Sequence, residues 1–243
     1  MKLTLEEARK ALKRAEKVAV LTGAGISAES GIPIFRGKDG LWQKHEIEKV
    51  ATLTGFLADP DYAWKFHSEL MKIISKAKPN RAHYVLAEME PHFPEFHVIT
   101  QNVDNLHQEA GSKNVIELHG NIWRVKCLEE EKIYPVKKEE LEKFNTHCPK
   151  CGGLLKPDVV FFGEPLPKDA LGKALTVSAE ADVMFVVGTS AVVQPAASLP
   201  FITKENRGLI FEFNPETTAL TKFADFSLKE PATKGLDLFW KEF

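Results

Sequence analysis

A chain of 243 residues with 44% hydrophobic side chains can bury one large core, or a main core carrying a smaller module. Its 32 basic and 34 acidic residues nearly cancel, which excludes the strong positive field of a general DNA- or RNA-binding protein. No run approaches the roughly 20 apolar residues of a membrane helix, and the charged N-terminus lacks the apolar stretch of a signal peptide. Three cysteines, two of them in a CxxC, fit a reduced compartment and metal or redox chemistry, so the expected location is cytoplasmic.

Taken in chain order, Thr4 and Glu7 stand at capping-box spacing, and Leu5, Ala8, Leu12 and Ala15 share one face. This predicts an amphipathic helix over residues 4–17. The short apolar run 18–22 then predicts a buried parallel strand, with similar runs at 96–100, 183–187 and 208–213. Helical stretches separate several of them, so the expected class is α/β with a Rossmann-like parallel sheet. That unit takes residues 1–37, 84–122 and 157–243. Residues 38–83 contain no convincing strand and read as a helical insertion, with turn signals at Asp59-Pro60 and Lys78-Pro79-Asn80. Residues 123–156 read as a second, smaller insertion that holds all three cysteines. Its charged stretch, 129–143, reads as a solvated helix face or a hairpin.

The first strand runs into Gly23-Ala24-Gly25-Ile26-Ser27-Ala28, a GxGxxA at a strand-to-helix junction. Glycines there let backbone N–H groups approach a pyrophosphate. A hydride-transfer enzyme would place an acidic residue about 20 positions on. Here that region reads Gly40-Leu41-Trp42-Gln43, which disfavours such chemistry. Arg36 offers a guanidinium fork for phosphate, or else a surface ion pair. At 98–100 an apolar strand opens into Gln101-Asn102-Val103-Asp104-Asn105-Leu106-His107, polar groups where parallel sheets bind ligands. His119 follows the apolar Val115-Ile116 and precedes a glycine. Its imidazole titrates near neutrality and can take a proton from a hydroxyl. His107 is expected to orient its own loop.

The string GAGISAESGIPIFRG at 23–37 resembles the first signature of the sirtuins, and TQNVDNLH at 100–107 resembles a second. Leu118-His119-Gly120, the segment Val159-Val160-Phe161-Phe162-Gly163-Glu164, and Gly188-Thr189-Ser190 with Val193 and Pro195 complete five motifs in the family's order. The resemblance covers nearly the whole chain and points to the bacterial and archaeal class III-type branch. It implies an NAD-dependent protein-lysine deacetylase that consumes NAD as a co-substrate and yields nicotinamide, O-acetyl-ADP-ribose and free lysine. By the same resemblance Gly23, Ala24, Gly25, Phe35 and Arg36 contact NAD, with Phe35 in a lid. Gln101 and Asn102 bind around the nicotinamide ribose, Asp104 binds the carboxamide, and His119 is the catalytic base, with Asn102 and Asp104 in the catalytic set. Gly188, Thr189 and Ser190 hold phosphate or ribose oxygens, Asn214 the ribose, and Ala232 lies beside the adenine. Val160 and Gly163 would pair an acyl-lysine-bearing peptide by strand addition, with Phe162 lining the lysine channel.

The family also carries a structural zinc on two CxxC pairs, so the small insertion is expected to be zinc-ribbon-like around Cys127, Cys148 and Cys151. Glu130 stands where the fourth cysteine would be, and Glu130 or His147 can complete the set. One subgroup of the family removes acidic acyl groups through a Tyr-x-x-Arg pair. Those positions count to His67 and Leu70 here, so a short neutral acyl group is expected, with His67 in the substrate site. Two rival readings accompany this one, a mono-ADP-ribosyltransferase on the same fold and a non-catalytic NAD sensor. Neither nucleic acid nor membrane is an expected partner.

Overall fold

A computed structural model describes residues 2–34, 46–143 and 145–243. Helix α1 (Leu5–Leu12) is closed by the predicted capping box, Thr4 accepting from the Glu7 N–H while Glu7 reaches back to Thr4. It ends five residues earlier than its periodicity predicts. The Asp182 carboxylate accepts the N–H groups of Glu16 and Lys17, both at 2.9 Å, and draws the chain into strand β1 (Lys17–Thr22).

Three helices follow, α2 (Ile47–Val50), α3 (Leu53–Ala58) and α4 (Pro60–Lys76), and then α5 (Arg81–Met89) leads to β2 (Glu95–Thr100). Helix α6 (Leu106–Ala110) connects to β3 (Val115–Glu117). The chain then leaves the main sheet through β4 (Gly120–Cys127), β5 (Ile133–Pro135) and β6 (Leu155–Val159). It returns by α7 (Lys168–Glu180), β7 (Val183–Val187), α8 (Leu199–Glu205), β8 (Leu209–Phe213), β9 (Phe226–Leu228) and α9 (Ala232–Trp240).

The main sheet is parallel, in the order β3-β2-β1-β7-β8-β9. Strand β1 is flanked by β2, which follows it, and by β7, which comes much later. The order in which strands are added therefore switches sides at β1/β7, the place where such sheets open a crevice. Register aligns Thr22 with Thr100 and with Val187, and Val187 with Phe213, so four strands end level. The strands are apolar on both faces because each face carries its own core. One face holds a phenylalanine cluster in which Phe185 and Phe239 each pack on Phe213, with ring centroids 5.5 and 5.4 Å apart.

Strands β5, β4 and β6 form a separate antiparallel sheet, so the charged stretch contributes a hairpin strand and a 3-10 turn (Lys138–Lys143). Two expectations change here. The helical and cysteine-bearing segments share one core, in which Phe56, Trp64 and Met71 lie with Ile122, Val125, Leu155 and Phe161. The divisions placed at 83/84, 122/123 and 156/157 fall inside α5, β4 and β6. Strand β6 stops at Val159, the first residue of the segment expected to pair a peptide. Beyond it the Val160 N–H turns to the His119 carbonyl (3.0 Å) and the Phe162 N–H to Ala51 (2.7 Å). Among the described residues no helix is long and apolar enough to cross a membrane.

Candidate active site

The ends of β1 and β7 touch through glycine. The Gly25 N–H donates to the Gly188 carbonyl (2.8 Å), the Gly23 N–H to Val187 (3.1 Å) and the Gly188 N–H to Phe213 (3.0 Å). Gly188 has φ +59°, and a Cβ there would lie 2.4 Å from the Ile26 nitrogen. Only glycine fits both the conformation and the space. The loop after β1 winds through two short 3-10 turns (Ala24–Ile26 and Ala28–Ser30) in place of a long helix. Gln101 closes the third side by donating to the Thr189 hydroxyl (3.1 Å), and Asn214 donates to the Thr189 carbonyl (2.9 Å).

These loops enclose a cavity of about 1470 Å³. Gly23, Ala24, Gly25, Gln101, Asn102, Gly188, Thr189, Ser190, Asn214 and Ala232 line it, and so do His119, His67, Val160, Phe162 and Gly163. The residues named as cofactor and substrate contacts thus converge on one space. Asp104 does not line it and stands one layer behind. Phe35 and Arg36 lie outside the described residues.

Behind the wall runs a polar chain whose hydrogens can be assigned. The Asn80 N–H donates to His83 Nδ1 (3.2 Å), so the hydrogen of the neutral ring sits on Nε2, which faces the Ser27 hydroxyl at 3.4 Å. Ser27 in turn donates to Asp104 Oδ2 (2.7 Å) and accepts from the Asn102 amide (3.2 Å), which also donates to the Gly23 carbonyl (3.1 Å). Burial raises the Asp104 carboxyl above its ordinary range, opposed by its bonds from the Leu106 N–H and Ser27. Ser27 and His83 were not anticipated, because their role exists only once residues 56 and 77 positions apart in the chain meet. His107 does more than order its own loop. Its Nε2 lies 3.0 Å from the Thr22 hydroxyl, which donates to Thr100 (2.8 Å) and so ties α6 to the ends of β1 and β2.

His119 sits in the turn between β3 and β4. Its Nδ1 lies 2.9 Å from the Gln101 carbonyl, an oxygen that can only accept. The hydrogen is therefore on Nδ1, and Nε2 keeps its lone pair. Burial lowers the His119 pKa below the ordinary value, so the ring is neutral at pH 7. The segment at 159–164 is held by Lys156, which also was not anticipated. Its buried ammonium donates to the Val159 carbonyl (2.8 Å), pairs with Glu164 (3.0 Å) and sits over the Phe161 ring at 3.9 Å.

A family model described as the Sir2 family matches residues 23–195. The chain belongs to the Sir2 family. An NAD-dependent protein deacylase of Aquifex aeolicus is 54% identical over 222 residues, 90% of this chain and 92% of that one. A mutant Sir2 homologue solved with 2'-O-acetyl ADP ribose is 45% identical, with a TM-score of 0.91 over 98% of this chain and 95% of that one. A Sir2 solved with a p53 peptide and NAD+ is 37% identical, with a TM-score of 0.87 over 99% and 98%.

In this Sir2 chain the sulfur atoms of Cys127, Cys148 and Cys151 all lie within 4.8 Å of one another. The Glu130 N–H points to the Cys127 sulfur (3.5 Å) and the Gly153 N–H to Cys151 (3.4 Å), as amides do around thiolates. Three convergent soft donors fit zinc. Neither suggested fourth ligand joins the cluster. The Glu130 carboxylate accepts from Tyr134 (3.0 Å), whose oxygen also contacts Cys148 (3.7 Å), while exposed His147 turns to Thr146 (3.3 Å).

Two predictions follow from this geometry. Protein purified without chelator should carry about one zinc per chain by elemental analysis, and Cys148→Ser should lose it; less than about a tenth of an equivalent in the parent protein would show that packing alone holds the module. The second concerns acid. Burial pushes His67 and His83 down to about 4 and His107 well below its ordinary value. Between pH 6.5 and 4 the unfolded chain therefore takes up protons that the folded chain refuses, and stability falls with pH by up to about 3 kcal/mol for each of His67 and His83. The urea midpoint should drop steadily over that window, and His83→Gln should flatten the dependence.

Proposed function

We propose that the protein is an NAD-dependent protein-lysine deacylase, removing acetyl or another short acyl group from a target protein. The observation that carries this reading is His119. It is a neutral imidazole with a bare Nε2, lining the same cavity as the glycine cradle. NAD, consumed as the second substrate, supplies an activated ribose carbon that captures the acyl oxygen as nicotinamide leaves. His119 Nε2 takes the proton from a ribose hydroxyl, whose oxygen then attacks the acyl carbon. The products are lysine, nicotinamide and O-acyl-ADP-ribose, with one water consumed.

The other residues bind and orient. Gly23, Gly25 and Gly188, whose own N–H groups bond across the strand ends, let the pyrophosphate come close to the backbone, where N–H groups at Ala24, Thr189 and Ser190 suit its oxygens and those of the ribose. Asn214 and Ala232 serve the adenosine half, and Gln101 and Asn102 the nicotinamide ribose. Phe35 and Arg36 are assigned to the cofactor loop. In this reading Asp104 acts through Ser27 and Asn102, and reaches the nicotinamide only if Ser27 gives way. Val160 and Gly163 pair the peptide backbone beside Phe162. Leu70 leaves the cavity without the arginine of the acidic-acyl subgroup, which supports a neutral acyl group. Residues 38–83 and 123–156 act together as one lobe on the NAD-binding unit, steadied by zinc on Cys127, Cys148 and Cys151. The proposed setting is cytoplasmic, with an acyl-lysine-bearing protein as partner and no part for nucleic acid or membrane.

Replacing the base separates binding from chemistry. His119→Ala should keep NAD affinity within a few-fold while lowering kcat for an acetyl-lysine peptide by about 10²-fold or more. The parental kcat/KM should fall on the acid side at a pH below 6.5, where the buried ring protonates. A folded His119→Ala protein that deacetylates near the parental rate would remove His119 from this role.

A further inference from the structure

One residue in the cavity wall carries a buried polar atom that the proposed reaction leaves idle. His67 on α4 is 3% exposed and lines the cavity with Leu70, Ile122 and Phe161. Its ring lies parallel to Phe161, with centroids 5.4 Å apart, and meets Phe66 edge-on at 5.2 Å. Nε2 stands 2.9 Å from the Val50 carbonyl oxygen. That oxygen only accepts, so Nε2 carries the ring's hydrogen and Nδ1 keeps a lone pair. With its pKa pushed down to about 4 by burial, the ring is neutral at physiological pH. Nδ1 has no hydrogen-bond partner and lies just beneath the wall, covered from water on the cavity side as well. A buried acceptor without a donor is costly, and a donor arriving with the substrate relieves that cost. Leu70, Ile122 and Phe161 have no donor to offer it.

We propose that His67 selects acyl-lysine substrates whose acyl chain bears a hydroxyl group, which donates its hydrogen to Nδ1. The proposal rests on the deacylase reading and names its substrate class. Acetyl, propionyl and butyryl chains match the apolar walls but leave Nδ1 unpaired. A succinyl or malonyl carboxylate brings only acceptors towards a lone pair, and finds Leu70 where a cation would be needed. A hydroxyl on the second or third acyl carbon is neutral, compact and a donor, and reaches Nδ1 by a small shift of the surrounding side chains. Sites that hydrogen-bond a substrate hydroxyl discriminate strongly against the analogue lacking it, whereas an apolar wall cannot favour the hydroxyl.

The test compares kcat/KM within matched pairs on one peptide, lactyl-lysine against propionyl-lysine and 3-hydroxybutyryl-lysine against butyryl-lysine, with acetyl-lysine as reference. The parental enzyme should favour the hydroxylated member of at least one pair by about tenfold or more. In His67→Phe, which keeps a flat ring and removes the acceptor, that ratio should fall to one or below. Each ratio is read within one protein, so a general loss of rate cancels. If His67→Phe fails to fold, the parental ratios alone decide. Deacetylation without preference for either hydroxylated chain, or a preference that survives in His67→Phe, overturns the proposal. Failure to release any acyl group, acetyl included, instead refutes the deacylase reading beneath it.

Discussion

The site depends on one close approach, that of the loop after β1 to Gly188 at the end of β7. Any side chain at Gly188 would collide with the Ile26 nitrogen, and one at Gly25 would lie 2.8 Å from the Gly188 Cα. Because both positions are bare, the backbones bond directly, and the loop is held level with the strand ends. The strand register brings Thr100 to the same level, so Gln101 reaches Thr189 and Asn102 reaches Gly23. The cradle and the polar residues of the next loop are in this sense one construction. The backbone itself forms the cradle wall there, because the fold leaves no room for side chains at Gly25 and Gly188.

Burial then sets the chemistry of the histidines. His67 and His119 each meet a backbone carbonyl with one ring nitrogen, and His83 meets a backbone N–H. In a neutral ring each such bond assigns the other nitrogen its role. His119 is left with a base towards the cavity, His83 with a donor towards Ser27, and His67 with an unpaired acceptor. Desolvation keeps all three uncharged near neutral pH. The same uncharged state makes the fold sensitive to acid.

Contiguous features were legible in the sequence. The apolar runs that became β1, β2, β7 and β8, the Thr4–Glu7 cap and the loops carrying Gly23, Asn102, His119 and Gly188 are short strings whose residues stay together in space. What depends on distant partners was not. Lys156 reads as an ordinary lysine before a proline until Glu164 and Phe161 fold around it. Ser27 belongs to a glycine-rich string, and nothing local joins it to His83. The two insertions looked separate because their shared core is built from residues at 50–77 and 122–161. Helix α1 was read too long because its periodicity runs on while Asp182, far along the chain, ends it. The open corner of the cysteine cluster was visible as Glu130, but the intervening Tyr134 hydroxyl was not.

The reading of the site turns on what becomes of NAD when an acyl-lysine protein is present. Mass spectrometry of one incubation with an acetylated target resolves every product. Deacylation predicts equimolar nicotinamide, O-acetyl-ADP-ribose and target lighter by one acetyl group. A target that keeps its acetyl group and gains ADP-ribose would contradict it.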